Sequence, residues 1–583
     1  MNSETRICQN CKQNFIIEPD DFSFYEKIKV PPPTFCPECR TIRRLCWRNE
    51  MSLFKRKCNA PDHNETLISL YPPDENLIVY DIKYWWGDKW DPMFYGRDYD
   101  FSEPFFKQWK NLMNQFPLQI LSNSNATNSD YCNIAEESRN SYMSSGSWQI
   151  EQTFYSNRIS RIKDSSDLYV VNDAELCYDD VICSDCYHLL YSLNCKNCVD
   201  SYFLYDCHGC VNCFGCSNLR SKSYCMWNKQ LSKEEYNHRL AELDLTDYKI
   251  ILELKKNFKE LYLKSLHRFA IHIKTVNSIG DNLEGTKNCK FCFDAKGNIE
   301  DCKYSHWLEK DVKDGYDSGP GIGLAELTYE IFDTGIGNYR NLFTSVVYSS
   351  NEIEYCFNCY GCSNLFGCLG LRNKKYCILN KQYSKDEYEK LVSKIKQQMM
   401  NIPYVDKNKI IYKYGEFFPV ELSPFAYNET VAQDYFPKTK EKILKEGYKW
   451  RERQVNEYKA TIKAKDLPDK LNDVSDEIIR EIIECENVNE NNIYCRKAFK
   501  VIEDELNLYK KLKVPLPHLC FFCRHRERLK MRNPMKLWHR KCMCDKTSHF
   551  HGNNNCDIEF ETSYSPDRPE IIYCEKCYQQ EVY

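Results

Sequence analysis

The run CSDCYHLLYSLNCKNCVDSYFLYDCHGCVNCFGC, residues 183–216, decides how this chain is read. Cys-x-x-Cys pairs recur in it at 183/186, 195/198 and 207/210, one every twelve residues. Between pairs lie eight residues rich in Tyr, Leu and Phe with partial alternation of apolar and polar side chains, a strand signature. Strand and turn repeating at a short fixed period mark a β-solenoid, in which like residues stack on successive rungs. A twelve-residue rung fits the pattern, as do two repeats within one larger rung. The pattern decays before 175 and after 216, and residues 289–377 repeat it less regularly.

Two internal duplications extend this reading. GCVNCFGCSNLRSKSYCMWNKQLSKEEY (209–236) matches GCSNLFGCLGLRNKKYCILNKQYSKDEY (361–388), and each copy ends in Ser-x-x-Glu ahead of a helical pattern. Ser232/Glu235 and Ser384/Glu387 thus read as capping boxes that hand the cysteine-rich units over to helices. Cys207, Cys210, Cys213 and Cys216 are spaced like an iron–sulfur loop, but the usual C-x3-C-P ending is missing. The twin reads Cys359, Cys362, Leu365, Cys368, and a cluster ligand is not expected to become leucine. An interior ladder position shared by small and apolar residues accounts for the exchange better than further zinc or an iron–sulfur cluster does.

The second duplication joins the two ends at a constant offset of 484: KIKVPPPTFCPECR (27–40) matches KLKVPLPHLCFFCR (511–524). Cys8-x2-Cys11 and Cys36-x2-Cys39 form two knuckles whose four thiolates suit a tetrahedral Zn²⁺ with no open position, hence a structural site. The C-terminal copy keeps Cys495, Cys520 and Cys523 but has Asn492 where Cys8 stands. Cys485 looping in, His525 substituting, and loss of the site are the three alternatives. A second C-terminal site is expected from Cys542, Cys544, Cys574 and Cys577, with His549, His551 and Cys556 to spare. The equivalent N-terminal positions read Asp81 and Tyr84, with only Cys58 kept. That site is expected to be degenerate, its metal replaced by packing of Tyr84, Trp85, Trp86 and Trp90.

The combination of VPPPTFCPECR, an Arg-rich helix ending in KRKC, YPPD, WWGDKWDP and, later, RNKKYCILNKQYSKDEYEKL and YGEFFPVELSPFAYNETVAQDYFP resembles an uncharacterised zinc-ribbon family. Its members occur mainly in small-genome candidate-phylum bacteria. The resemblance covers most of the chain and implies zinc and architecture, without an activity. In that family the second knuckle usually carries cysteines where Asp81 and Tyr84 stand here.

The expected fold is multi-domain, mostly β with helices: zinc-ribbon or treble-clef-like modules at both ends flanking cysteine-rich β-solenoid segments. The expected divisions are an N-terminal module at 1–108, a solenoid at 109–230 and a helical connector at 231–275. A second solenoid follows at 276–382, a helix and aromatic segment at 383–450, a charged linker at 451–480 and a C-terminal module at 481–583, free to move on that linker. With 583 residues and 34 cysteines but neither an apolar leader nor an 18-residue apolar run, the chain is expected to be cytoplasmic, its thiols reduced, with no membrane partner.

Net charge is −4, unevenly spread: residues 40–58 hold seven Lys/Arg against Glu50, and 524–542 eight against Glu527. If helical, Arg40, Arg44 and Arg48 share a face, as do Arg524, Arg528 and Arg532. With Arg43 and nearby Trp47 and Trp538, they suggest phosphate and base contacts to RNA or DNA. The competing reading pairs these arginines with the acidic interior of the chain. An interaction scaffold for other proteins is the second functional class, and a carbohydrate-active β-helix enzyme the third. No catalytic constellation stands out: His-Glu-x-x-His and a phosphate loop are absent, Gly319-Pro-Gly-Ile-Gly323 lacks the flanking strand and helix, and Asp98 and Asp100 read as turn residues.

Overall fold

A computed structural model describes residues 2–452, 459–488 and 494–583. They form two compact units, each assembled from one terminal module and one interior ladder: Met1–Leu121 with Ala270–Arg451, and Ser122–Phe269 with Glu452–Tyr583. The expected division therefore changes. The C-terminal module is not a separate body on a linker, and the expected connector at 231–275 is split between units. Residues 464–480 are three short 3-10 turns, Ala464–Asp466, Leu471–Asp473 and Asp476–Arg480, and Asp247 bridges Lys470 within the second unit.

In the second unit seven parallel strands, from Asn123–Ser124 to Val199–Tyr202, lie side by side in chain order. Ile159 pairs with Val171, Val171 with Cys183, and Tyr187 with Val199, so the chain returns alongside itself every twelve residues. This decides between the two registers the sequence allows. Bridges at the same spacing continue through Phe214 and Met226.

A shorter period lies inside the twelve. Every third residue has left-handed backbone, with φ of 57° at Asp185, 50° at His188, 58° at Tyr191 and 56° at Asn194, so each repeat turns four corners. Gly, Asn and Asp tolerate this conformation best. Apart from Phe203, the corners that follow fit: Asn197, Asp200, Asp206, Gly209, Asn212, Gly215 and Asn218.

The residue two places before a corner is buried from Cys183 to Cys216. Cys183, Cys186, Leu189 and Ser192 occupy one repeat, and Cys207, Cys210, Cys213 and Cys216 another. A Cys-x-x-Cys pair here is two neighbouring sides of one repeat. Cys207 Sγ donates to the carbonyls of Tyr205 (3.5 Å) and Cys216 (3.6 Å), as Ser144 Oγ does to those of Tyr142 and Thr153. Inward hydroxyls also accept: Ser192 Oγ from the Leu204 N–H (3.0 Å) and Ser201 Oγ from the Cys213 N–H (3.1 Å). Inward Cys and Ser thus satisfy backbone groups that would otherwise be buried without partners.

The first unit holds a second parallel ladder whose register slips. Ile279 pairs with Lys290, Phe293 with His306, Leu308 with Ile322, and Ile353 with Leu365. Irregularities between Ile279 and Gly280, between Glu284 and Thr286 and between Glu309 and Val312 explain the weaker sequence period. The Gly319–Gly323 run is a corner of this ladder: a Cβ on Gly319 (φ 114°) would stand 1.8 Å from the His306 carbonyl oxygen. Two helices, Lys233–Ala241 and Tyr248–Lys264, follow the first ladder, and Lys385–Asn401 follows the second. Ser384 and Glu387 form the full capping box, whereas Ser232 Oγ accepts from the Glu235 N–H alone. The aromatic segment supplies Tyr414, Phe417, Phe418 and Phe425 to the core of the first unit.

Candidate metal centres

Four groups of ligating side chains converge among the described residues, each with its donor atoms within 4.8 Å of one another. The first is Cys8, Cys11, Cys36 and Cys39. Cys8 and Cys11 lie at the turn between the antiparallel strands Glu4–Ile7 and Asn14–Ile17, where Lys12 takes φ 62°. Cys36 is the N-cap of helix Pro37–Leu45 and Cys39 sits in its first turn, with Pro37 at a position that needs no N–H donor. The helix N-terminus favours a thiolate there. Cys11 and Cys36 sulfurs are 3.7 Å apart, the edge of a tetrahedron around an ion held at about 2.3 Å. Hydrogen bonds from Cys36 and Cys39 hold the Cys8 thiol far below its ordinary range, while the same coupling raises those two partners.

The second group is Cys485, Cys495, Cys520 and Cys523, so Cys485 stands where the fourth ligand was in question. The Cys520 N–H donates to Cys485 Sγ (3.2 Å) as the Cys36 N–H does to Cys8 Sγ (3.3 Å), making Cys485 the counterpart of Cys8. Asn492 lies outside the described residues. His525 is not in this group; it packs edge-on to Tyr169.

The third group corrects an expectation. Cys542 joins Cys556, Cys574 and Cys577, with Cys556 and Cys574 sulfurs 3.9 Å apart, and Cys556 takes the place expected of Cys544. Only one residue separates Cys542 from Cys544, and Cys544 falls instead in a fourth group with His549, His551 and Cys577. Cys574 again caps a helix, Glu575–Val582, and its N–H donates to Cys542 Sγ (3.2 Å).

At the matching N-terminal position the Asp81 N–H donates to Cys58 Sγ (3.2 Å), and the Asp81 carboxylate caps helix Ile82–Trp86 by accepting from Lys83 and Tyr84. Trp85 is buried against Trp86 and Trp90, and Tyr80 packs on Tyr84 and Trp90. Aromatic packing and an ordinary cap occupy the ground of the second ribbon.

Of the seven arginines expected at a nucleic-acid surface, six are turned onto carboxylates. In the first unit Asp317 takes Arg40 Nε (2.9 Å) and Arg44 (3.3 Å), Glu416 takes Arg43 (2.8 Å), and Arg43 also pairs with Glu330. Arg48 pairs with Glu50 (2.6 Å) and Asp333 (3.2 Å). All four are at most 3 % exposed. In the second unit Asp167 takes Arg524 (2.9 Å) and Arg528 (2.7 Å), and Arg532 donates to the Tyr169 hydroxyl (3.2 Å).

The geometry is duplicated down to the backbone, with Arg40 donating to the Phe35 carbonyl and Arg524 to that of Leu519. Asp317 and Asp167 are both left-handed corners of a ladder. Six of these guanidiniums thus face carboxylates, the arrangement of the competing reading, whereas Arg532 is half-buried and meets a hydroxyl. Trp47 is likewise buried, against Trp109 and Phe418. Asp98 pairs with Lys381, and Asp100 accepts from Ser102 in a turn.

No protein-family model matches the chain, and no curated protein matches it. Among solved structures it is similar to one described as a "putative acetyltransferase from Desulfovibrio desulfuricans G20", at 10% identity and a TM-score of 0.11. The match spans 48% of this chain and 75% of that one. At that score the likeness carries no argument. No described helix is long and apolar enough to cross a membrane.

Proposed function

We propose that this chain is a structural zinc protein: two β-solenoids, each carrying a zinc module on an arginine-gripped aspartate, that serve as an interaction scaffold for other proteins. One observation carries the reading. Each four-cysteine group supplies a complete tetrahedral donor set, leaving no position for a substrate. Soft thiolates favour zinc over magnesium, calcium or manganese. The binding energy of such a site, about 10–16 kcal/mol in small zinc peptides, becomes folding energy for a module with little core. The twelve-residue return with four corners supports the solenoid, and long regular ladders suit extended binding surfaces. The motif likeness to the zinc-ribbon family supports the same reading.

The scaffold is tested by capture on the immobilised full-length chain before and after nuclease treatment. Protein partners retained after nuclease support it. Capture abolished by nuclease favours a nucleic-acid partner held by residues other than the buried arginines.

A further inference from the structure

Cys577 belongs to two of the converging groups at once, and the residues completing the second are arranged as metal ligands usually are. His549 Nε2 lies 2.8 Å from the Glu581 carboxylate, which only accepts, so Nε2 carries the proton and Nδ1 presents its lone pair. That Nδ1 lies 3.1 Å from Cys544 Sγ. His551 Nδ1 lies 2.6 Å from the Asn554 carbonyl oxygen and must donate, so its Nε2 presents a lone pair. His551 Nε2 is buried and has no hydrogen-bond partner among the described residues. Both imidazoles are thus fixed in tautomer by an oxygen on the far side, the outer-shell pattern that orients metal-binding histidines. Cys544, His549 and Cys577 are 1, 6 and 0 % exposed.

We propose that the C-terminal module holds a binuclear zinc centre. One ion sits among Cys542, Cys556, Cys574 and Cys577, and a second among Cys544, His549, His551 and Cys577, with the Cys577 thiolate bridging. A thiolate sulfur has lone pairs enough for two ions, and seven side chains then supply eight tetrahedral positions. Two neutral imidazoles in the second set keep the excess of negative charge small: five thiolates face two divalent ions. The N-terminal module, with Asp81 and Tyr84 in the knuckle positions, lacks the counterpart.

This rests on the proposed zinc reading, and the test separates the two. Metal per full-length chain is counted for the wild type and for the double variant His549→Gln/His551→Gln, then repeated with cobalt while recording its electron paramagnetic resonance. The centre predicts one ion fewer in the variant, and cobalt in the wild type partly silenced by spin coupling through the shared sulfur, restored in the variant. Glu581→Gln keeps every ligand and is expected to weaken one ion about 10–100-fold in chelator competition. Equal metal counts in wild type and double variant, with uncoupled cobalt in both, would overturn the binuclear centre alone. A wild-type chain without zinc would overturn the structural-zinc reading beneath it.

Discussion

Asp167 accepts from Arg524 and Arg528 in a setting where all three side chains are at least nine-tenths buried. Burial pushes its carboxyl pKa up, but the charges of Arg524 and then Arg528 prevail and hold it below the ordinary 3.8. Removing one partner from a buried ion pair leaves uncompensated charge. Asp167→Ala is therefore expected to destabilise the second unit by about 3–5 kcal/mol in urea unfolding. Asp173→Ala, which breaks a half-exposed pair with Arg161, is expected to cost less than about 1 kcal/mol. Equal costs would contradict the anchoring role given to Asp167.

A second residue gives a pH signature. His267 is fully buried; its Nε2–H donates to the Tyr262 carbonyl (2.9 Å) and its Nδ1 accepts from the Tyr205 hydroxyl (2.7 Å). Burial lowers its pKa from 6.5 to about 4. Because the folded value is depressed, its contribution is fully present above pH 6.5 and is lost as pH falls toward 4, by up to about 3 kcal/mol. The stability difference between wild type and His267→Gln, followed by denaturant titration from pH 7 to 4, should shrink across that window. A constant difference would refute the assignment.

Among the elements, the ladder was legible in its period and hidden in its geometry. Twelve-residue spacing is visible because the pairs at 183, 195 and 207 repeat without slips. The triplet beneath it was not read from the sequence, which suggested alternating strands; inward Cys/Ser/Leu, an outward residue, then a corner enriched in Asn, Asp and Gly follow from the left-handed backbone. Aromatic corners such as Tyr191 and Phe203 break it, since packing there outweighs backbone preference. In the knuckles, the Cys8/Cys36 pairing follows from spacing. The Cys542 group does not, because a ligand two residues away (Cys544) competes on paper with one fourteen away (Cys556), and only the chain path decides. The arginine faces stayed open between two readings because charge reads alike in sequence whether it meets solvent or a buried aspartate.

These elements also separate the two kinds of cysteine by experiment. Cys183 Sγ donates to the Val181 carbonyl (3.4 Å), a role Ser144 fills elsewhere with oxygen. Cys183→Ser is expected to cost about 1 kcal/mol and leave metal content unchanged. Cys520→Ser is expected to lose one ion per chain and unfold its module. Elemental analysis beside thermal melts checks both, and loss of metal from Cys183→Ser would make the ladder cysteines ligands.

Across the whole molecule, cohesion is divided unequally. The ladders hold themselves by backbone pairing and inward hydrogen bonds, whereas on the proposed zinc reading the modules depend on a bound ion. Chelation followed by hydrogen exchange should expose amides in Glu4–Ile17 and Glu575–Val582 while the strands from Ser145 to Leu190 stay protected. Uniform loss of protection would mean that metal holds the ladders too.

The most direct test of the central claim is the zinc and iron content of the purified full-length chain. At least three zinc ions and no iron are predicted. A chain that folds with no metal, or that carries iron with a visible absorption band, would contradict the claim that closed thiolate sites hold the terminal modules.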